Sequence, residues 1–191
     1  MITLKEYEQA AKIIGCDVAA IKAVEEVESK GDGFLSDNRP MILFEPHIFW
    51  KQLKKHGIDP KLHLSGNEDI LYPVWGTKPY GKYSEQHGKL ERAKQIHRDA
   101  ALCSASWGKF QIMGFNWKAC GCETLQEFIN KMYRSESEHL NLFCNYIKSV
   151  SLDDELIEKD WAGFAAGYNG PQYRKNNYDG KLSMAYQTYR K

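Results

Sequence analysis

The sequence predicts one mostly helical domain with a small β or irregular region inserted early in the chain. Three observations predict it. Apolar residues recur at helical spacing through most of the 191 residues. One short apolar run, residues 41–44 (MILF), lies between Pro40 and Pro46 and reads as a strand-like or buried extended segment. Residues 60–83 are rich in Gly, Pro, Asn, Ser and Tyr without periodicity, which marks an irregular surface excursion rather than a linker. A chain of this length buries roughly 70% of the surface its unfolded form exposes, enough for one core.

The elements follow in order. Thr3 and residues 5–14 predict a short helix that stops at Gly15, and Asp17 is a good N-cap for a second helix running through Ser29. Gly31, Asp32 and Gly33 end it. After the apolar run, HIFWKQLKKHG returns to helical periodicity and stops at Gly57. Ser84 is placed to cap a long helix with apolar residues at Leu90, Ala93, Ile96 or His97, Ala100 and Ala101. Further helices are predicted over residues 125–150, 161–167 and 182–189, with no internal repeat or low-complexity tract.

Composition excludes several classes. Lys and Arg number 26 against 25 Asp and Glu, so a net charge of +1 supplies no global field to draw nucleic acid or anionic lipid. The five cysteines are an odd number and read as free thiols of a reducing compartment. Cys120 and Cys122 would supply two metal ligands, yet no second pair or HExxH accompanies them, so neither metal nor cofactor is expected. Lys5, Glu6 and Glu8 interrupt any signal-peptide core, and no stretch approaches the roughly 20 apolar residues of a membrane span. The expectation is a protein made in the cytoplasm without a signal peptide and without stable membrane association.

Residues 24–34 (VEEVESKGDGF) crowd three glutamates onto the end of the second predicted helix. Turning about 100° per residue, Ala20, Ile21, Val24 and Val27 form an apolar stripe, and Glu28 lies within about 45° of its centre. Glu25 falls on the flank and Glu26 almost opposite, so both are expected on a solvated face. A carboxylate on an apolar stripe loses hydration, which raises its pKa and suits a general acid. The bland alternative is a buried Glu28 satisfied by Arg39, Arg92 or backbone amides. Glu45 ends the apolar run in LFEPH; it is either a polar strand stop paired with Arg39 or His47, or the second carboxylate of a glycosidase pair.

Three ordered blocks carry a resemblance. Glu28-Ser29 with residues 31–35 (GDGFL), 38–40 (NRP), 42–45 (ILFE) and His47-x-Phe49 is similar to the signature of the N-acetylmuramidase family of phage endolysins and related bacterial proteins. Residues 104–114 (SASWGKFQIMG) and 167–170 (GYNG) match the same family, and the likeness spans about Asp17 to Tyr189. The resemblance implies a lysozyme-like fold, a single catalytic domain over residues 1–191 without a separate wall-binding module, and bacterial peptidoglycan as the partner, bound by a monomer. It implies Glu28 and Glu45 as the catalytic pair, with Ser29, Gly108, Gln111, Tyr168 and Asn169 around the substrate.

Physical roles can be attached to those positions. Gly108 would admit a sugar close to the backbone, and Gln111 would offer its amide to an N-acetyl or hydroxyl group or else tie two helices together. Tyr168 and Asn169 would orient Glu28 or a substrate oxygen, or would simply stop a helix. Trp107 and Phe110 are expected in the core. The basic run of Lys78, Lys82, Lys89, Arg92, Lys94 and Arg98 is either a face toward an anionic wall or a solvated helix face with Glu85, Glu91 and Asp99 interspersed.

The implied reaction is hydrolysis of the β-1,4 bond between N-acetylmuramic acid and N-acetylglucosamine. Two alternatives remain at this point: a lytic transglycosylase using Glu28 alone, and a peptidoglycan-binding module without activity. The wall would be reached after a membrane lesion during lysis, or through a secretion apparatus.

Overall fold

The computed structural model describes residues 1–29 and 32–190, with the Ser29 side chain outside that set. Helices α1 (Leu4–Ile14) and α2 (Val18–Ser29) come first, followed by strand β1 (Ile42–Phe44) and helix α3 (Pro46–Lys55). Helices α4 (Tyr83–Ile96) and α5 (Arg98–Cys103) lead into strands β2 (Ala105–Trp107) and β3 (Ile112–Met113). Helices α6 (Leu125–Arg134), α7 (Glu136–Ser149), α8 (Asp153–Glu158), α9 (Trp161–Tyr168) and α10 (Tyr178–Tyr189) complete the chain. The mostly helical fold with its small sheet after α2 is the one the sequence predicts, and the expected end of α2 at Gly31 lies outside the described residues.

Local chemistry explains the boundaries. Thr3 and Glu6 form a reciprocal capping box on α1, and Gly15 closes that helix at φ 92°. Asp17 Oδ1 accepts from the Ala20 amide at 2.8 Å, starting α2 as expected. The tract from 60 to 83 holds only a single 3-10 turn, Pro60–His63, and is otherwise irregular.

Three expectations need correction. The helix placed at Ser84 begins at Tyr83, and it breaks at His97, whose extended backbone (φ −159°, ψ 112°) ends α4. There the His97 ring nitrogen accepts from the Ala100 amide and caps α5. The helix over residues 125–150 is likewise two, because Ser135 turns extended and its hydroxyl caps α7 by accepting from the Glu138 amide. In both places one polar side chain offers the backbone a new start where apolar periodicity continues across the break.

The sheet runs β1-β2-β3, antiparallel throughout, with Leu43 opposite Ser106 and Ser106 opposite Met113. Beneath it Phe44, Phe49, Trp107, Phe110, Phe128, Phe143 and Phe164 are fully buried and form the centre of one core. Trp107 and Phe110 are therefore core residues, as expected, and the Trp107 indole donates to the Leu102 carbonyl at 3.1 Å.

Glu25 does not lie on a solvated face. Its carboxylate is 3.0 Å from the Lys109 ammonium and accepts from the Tyr7 phenol; Lys109 also meets Glu136 at 3.1 Å. Glu136 in turn accepts from the Gly33 amide at 2.7 Å. This largely buried network ties α2 to the β2–β3 turn and to α7, so the flank of the α2 stripe is used for fixing the helix that carries Glu28.

Candidate active site

Glu28 occupies the last turn of α2, where the backbone carbonyls point away from the helix and its macrodipole is negative. Its side chain is part-buried against α9 and α10, and Oε1 accepts from Asn169 Nδ2 at 2.8 Å. Burial pushes the carboxyl up to about 7, with the Asn169 amide and the Lys181 charge pulling only partly back. Neither arginine considered as a partner reaches it: Arg39 pairs with Asp37 and Arg92 with Asp69.

Glu45 is placed by its neighbours in the chain. A residue before proline is driven from the helical region, and Glu45 sits extended at φ −108°, ψ 93°, with Pro46 as the first residue of α3. Its amide donates to the Ser104 carbonyl at 2.8 Å, continuing the sheet, while its carbonyl accepts from Ile48 and Phe49 at 3.0 and 2.9 Å. The backbone is thus fixed from both sides. The side chain accepts from the Tyr80 phenol and lies 3.3 Å from His47 Nδ1. Burial raises the Glu45 carboxyl and the Tyr80 phenol opposes it, while burial lowers His47.

Both carboxylates line one cleft of about 440 Å³. It is lined by Leu43, Ser106 and Met113 from the sheet, by Gln111 from the β2–β3 turn, and by Asn169, Pro171, Gln172 and Tyr178 from the C-terminal part of the chain. Trp75, Tyr83 and Phe115 also line it, with 46%, 40% and 41% of their surface exposed. A cleft holding two desolvated carboxylates has the groups needed to protonate a leaving oxygen and to stabilise a cation beside it.

The other expected residues fall out as follows. Gln111 lines the cleft at φ 48°, but both ends of its amide are used: Nε2 donates to the Gly108 carbonyl and Oε1 accepts from Ser106 Oγ, each at 2.8 Å. It therefore shapes the β2–β3 turn as well as the cleft floor. Gly108 meets a close approach within the protein itself. It sits at φ 68°, and a Cβ there would stand 2.8 Å from the buried His139 ring. Tyr168 gives its hydroxyl to the Phe110 carbonyl at 2.6 Å, with its ring stacked on Phe164 at 5.2 Å, so it props the β2–β3 turn. Asn169 is beside Glu28 as expected, and its Oδ1 is buried with no partner in the protein. Ser29 follows Glu28, with its side chain outside the described residues.

Tyr80 was legible only as one aromatic among several in the irregular tract, and no spacing signals its contact with Glu45. Of the basic run, Arg92, Lys94 and Arg98 pair with Asp69, Glu91 and Asp99, and Lys78 and Lys89 donate to backbone carbonyls, which favours the solvated-face alternative. All five cysteines are free thiols. Among the described residues no group of three or more His, Cys, Asp and Glu could hold a metal ion, and no helix is long and apolar enough to cross a membrane.

A family model described as Muramidase, N-acetylmuramidase, matches residues 17–190. The chain belongs to the N-acetylmuramidase family. The crystal structure of the Burkholderia AP3 phage endolysin is similar: 39% identity, a TM-score of 0.84, and an alignment covering 98% of this chain and 71% of that one. No curated protein matches. This muramidase is therefore a glycoside hydrolase with a role in peptidoglycan hydrolysis, and its lysozyme-like fold is that of an endolysin.

Proposed function

We propose that the protein is an endolysin-type muramidase that hydrolyses the β-1,4 bond between N-acetylmuramic acid and N-acetylglucosamine, with Glu28 as general acid and Glu45 as the second carboxylate. The observation that carries this reading is a carboxyl held up at about 7 by burial, sharing a cleft with a second carboxylate whose burial is opposed by a phenol donor.

Glu28 gives its proton to the glycosidic oxygen as the bond to the muramic C1 breaks, and the N-acetylglucosamine end leaves as an alcohol. Glu45, ionised, faces the positive charge that develops at C1 and either activates water or stabilises the oxocarbenium-like state directly. Water adds to C1 as its O–H proton passes to a carboxylate, Glu45 where that group activates the water and otherwise the deprotonated Glu28, giving a reducing N-acetylmuramic end; Glu28 regains its proton from the water or from solvent. Asn169 holds the Glu28 carboxyl in the cleft, and its unpartnered Oδ1 is an acceptor for a substrate N–H or O–H. Gln111 and Ser29 would flank the sugar; Gly108 and Tyr168 would act by holding the turn that carries Gln111.

Residues 1–191 form the catalytic domain of this enzyme, which acts as a monomer and reaches the wall from the host cytoplasm through a lesion made during phage lysis. Purified peptidoglycan digested with wild type, Glu28→Gln and Glu45→Gln, with glycan ends identified by mass spectrometry, tests it. Reducing N-acetylmuramic ends that disappear in both variants are expected. Anhydro ends surviving Glu45→Gln would replace the reading with a transglycosylase, and no release by wild type would leave a binding module.

A further inference from the structure

Glu45 is fixed in the backbone by its own strand and helix, but its carboxylate is held by a residue of the irregular tract. We propose that Tyr80 is a positioning residue for the Glu45 carboxylate, and that the buried Gln86 side chain registers the Tyr80 segment against the strand end carrying Glu45. The proposal rests on the reading of Glu45 as the second carboxylate.

The contacts form a closed loop. The Tyr80 phenol donates to Glu45 Oε2, the oxygen that also faces His47 Nδ1 at 3.3 Å. Tyr80 lies in a stretch with no helix or strand of its own, so something else must hold it. That something is Gln86 on α4, which is fully buried. Gln86 Nε2 donates to the Tyr80 and Lys82 carbonyls at 2.7 and 3.0 Å, and Lys89 Nζ donates to the Tyr80 carbonyl at 2.7 Å. The other end of the same amide, Gln86 Oε1, accepts from the Phe44 amide at 3.1 Å, one residue before Glu45. One side chain thus sets the distance between the residue that bears the carboxylate and the residue that grips it.

The groups facing Glu45 are His47 from α3, Tyr72 and Tyr80 from the irregular tract, and Tyr178 from α10; Lys51 on α3 bears on His47. Among these, Tyr80 is the one that donates a hydrogen bond to the carboxylate. A donor to a carboxylate favours the ionised form and fixes which oxygen is occupied, committing Oε2 and leaving Oε1 for the reaction.

Kinetics on soluble, uncrosslinked glycan strands test this across pH, with circular dichroism to show that each variant is folded. Tyr80→Phe should lower kcat by roughly tenfold to a hundredfold, the usual worth of a charge-assisted hydrogen bond, with KM nearly unchanged. The acid limb of its pH profile should move to higher pH, because Glu45 would take up a proton more readily. Incorporating 3-fluorotyrosine at position 80 leaves the shape and sharpens the donor, so the same limb should move to lower pH. Gln86→Met should lower kcat in the same direction as Tyr80→Phe. Wild-type kcat and an unmoved limb in both position-80 variants, with Glu45→Gln inactive, would overturn the proposal alone. An active Glu45→Gln would overturn the role of Glu45, and the proposal with it.

Discussion

Replacing Glu28 with glutamine should stabilise the fold at neutral and alkaline pH while removing activity. The carboxyl ionises near 4.5 in an unfolded chain and is pushed up to about 7 by burial in the fold. Below the lower value both states hold the proton and the group contributes nothing. Between the two, the folded protein keeps a proton that the unfolded chain has released, so stability falls as pH rises; above about 7 the full cost stands. The difference between 7 and 4.5, at about 1.4 kcal/mol per pH unit, is about 3 kcal/mol, and exposure at the cleft lowers it toward about 2 kcal/mol. Glutamine keeps an oxygen for the Asn169 amide and has no proton to lose. Thermal melts of wild type and Glu28→Gln from pH 4 to 8.5 should therefore nearly coincide at the acid end. They should separate by roughly 4–12 °C at the alkaline end for a chain of this length. A gap that stays constant with pH, or wild type becoming the more stable protein above pH 7, would refute the burial argument.

Other outcomes follow from single contacts. The basic limb of the pH–rate profile should fall near 7 in wild type, and Asn169→Ala, which removes a donor that favours the ionised acid, should move it to higher pH while lowering the rate. Lys109→Met should destabilise the protein by about 3 kcal/mol in urea melts, because Glu25 and Glu136 lose the cation they share in a largely buried network. Gly108→Ala should cost about 2 kcal/mol or more by the same assay, since it forces an L side chain to φ 68° with its Cβ 2.8 Å from His139.

The first third of the molecule was legible because its signals are local. Thr3, Gly15, Asp17 and Pro46 each act within a turn of the residue that reveals them, and the run 41–44 becomes β1 between its prolines. The breaks in the later helices were harder to see. Ser135 and Glu138 do form the serine-x-x-glutamate spacing of a helix start, but the apolar period runs through it. His97 caps with an imidazole, outside the usual set of capping side chains. Glu25 was misread because the helical wheel places it on a flank and nothing local announces Lys109, which arrives from the β2–β3 turn. Within the site, Glu28 was visible as a charge on an apolar stripe. The Asn169 contact needed the family blocks, and the Tyr80 contact needed the folded tract, since irregular backbone carries no period from which a partner can be read.

The placement of the two glutamates on helix ends is itself a device for separating their protonation. Cations are favoured at a helix C-terminus, yet α2 has no basic residue in its last turn and carries Glu28 there, one residue before its end at Ser29, where the negative pole disfavours the ionised form. Glu45 is the residue that opens α3, where the positive pole favours it. Each effect is worth about 0.3–1 kcal/mol at a part-exposed site, small beside burial at Glu28. The two act in opposite directions on two groups that burial alone would push the same way. Added to burial at Glu28 and to the Tyr80 phenol at Glu45, they favour the protonated form of one carboxyl and the ionised form of its partner, while the Asn169 amide pulls Glu28 only partly back. Two carboxylates buried in one cleft without such a difference would compete for a proton instead of dividing the work. The difference between the two carboxyls therefore rests first on burial at Glu28 and on the phenol donor at Glu45, with the helix poles adding a smaller contribution in the same sense.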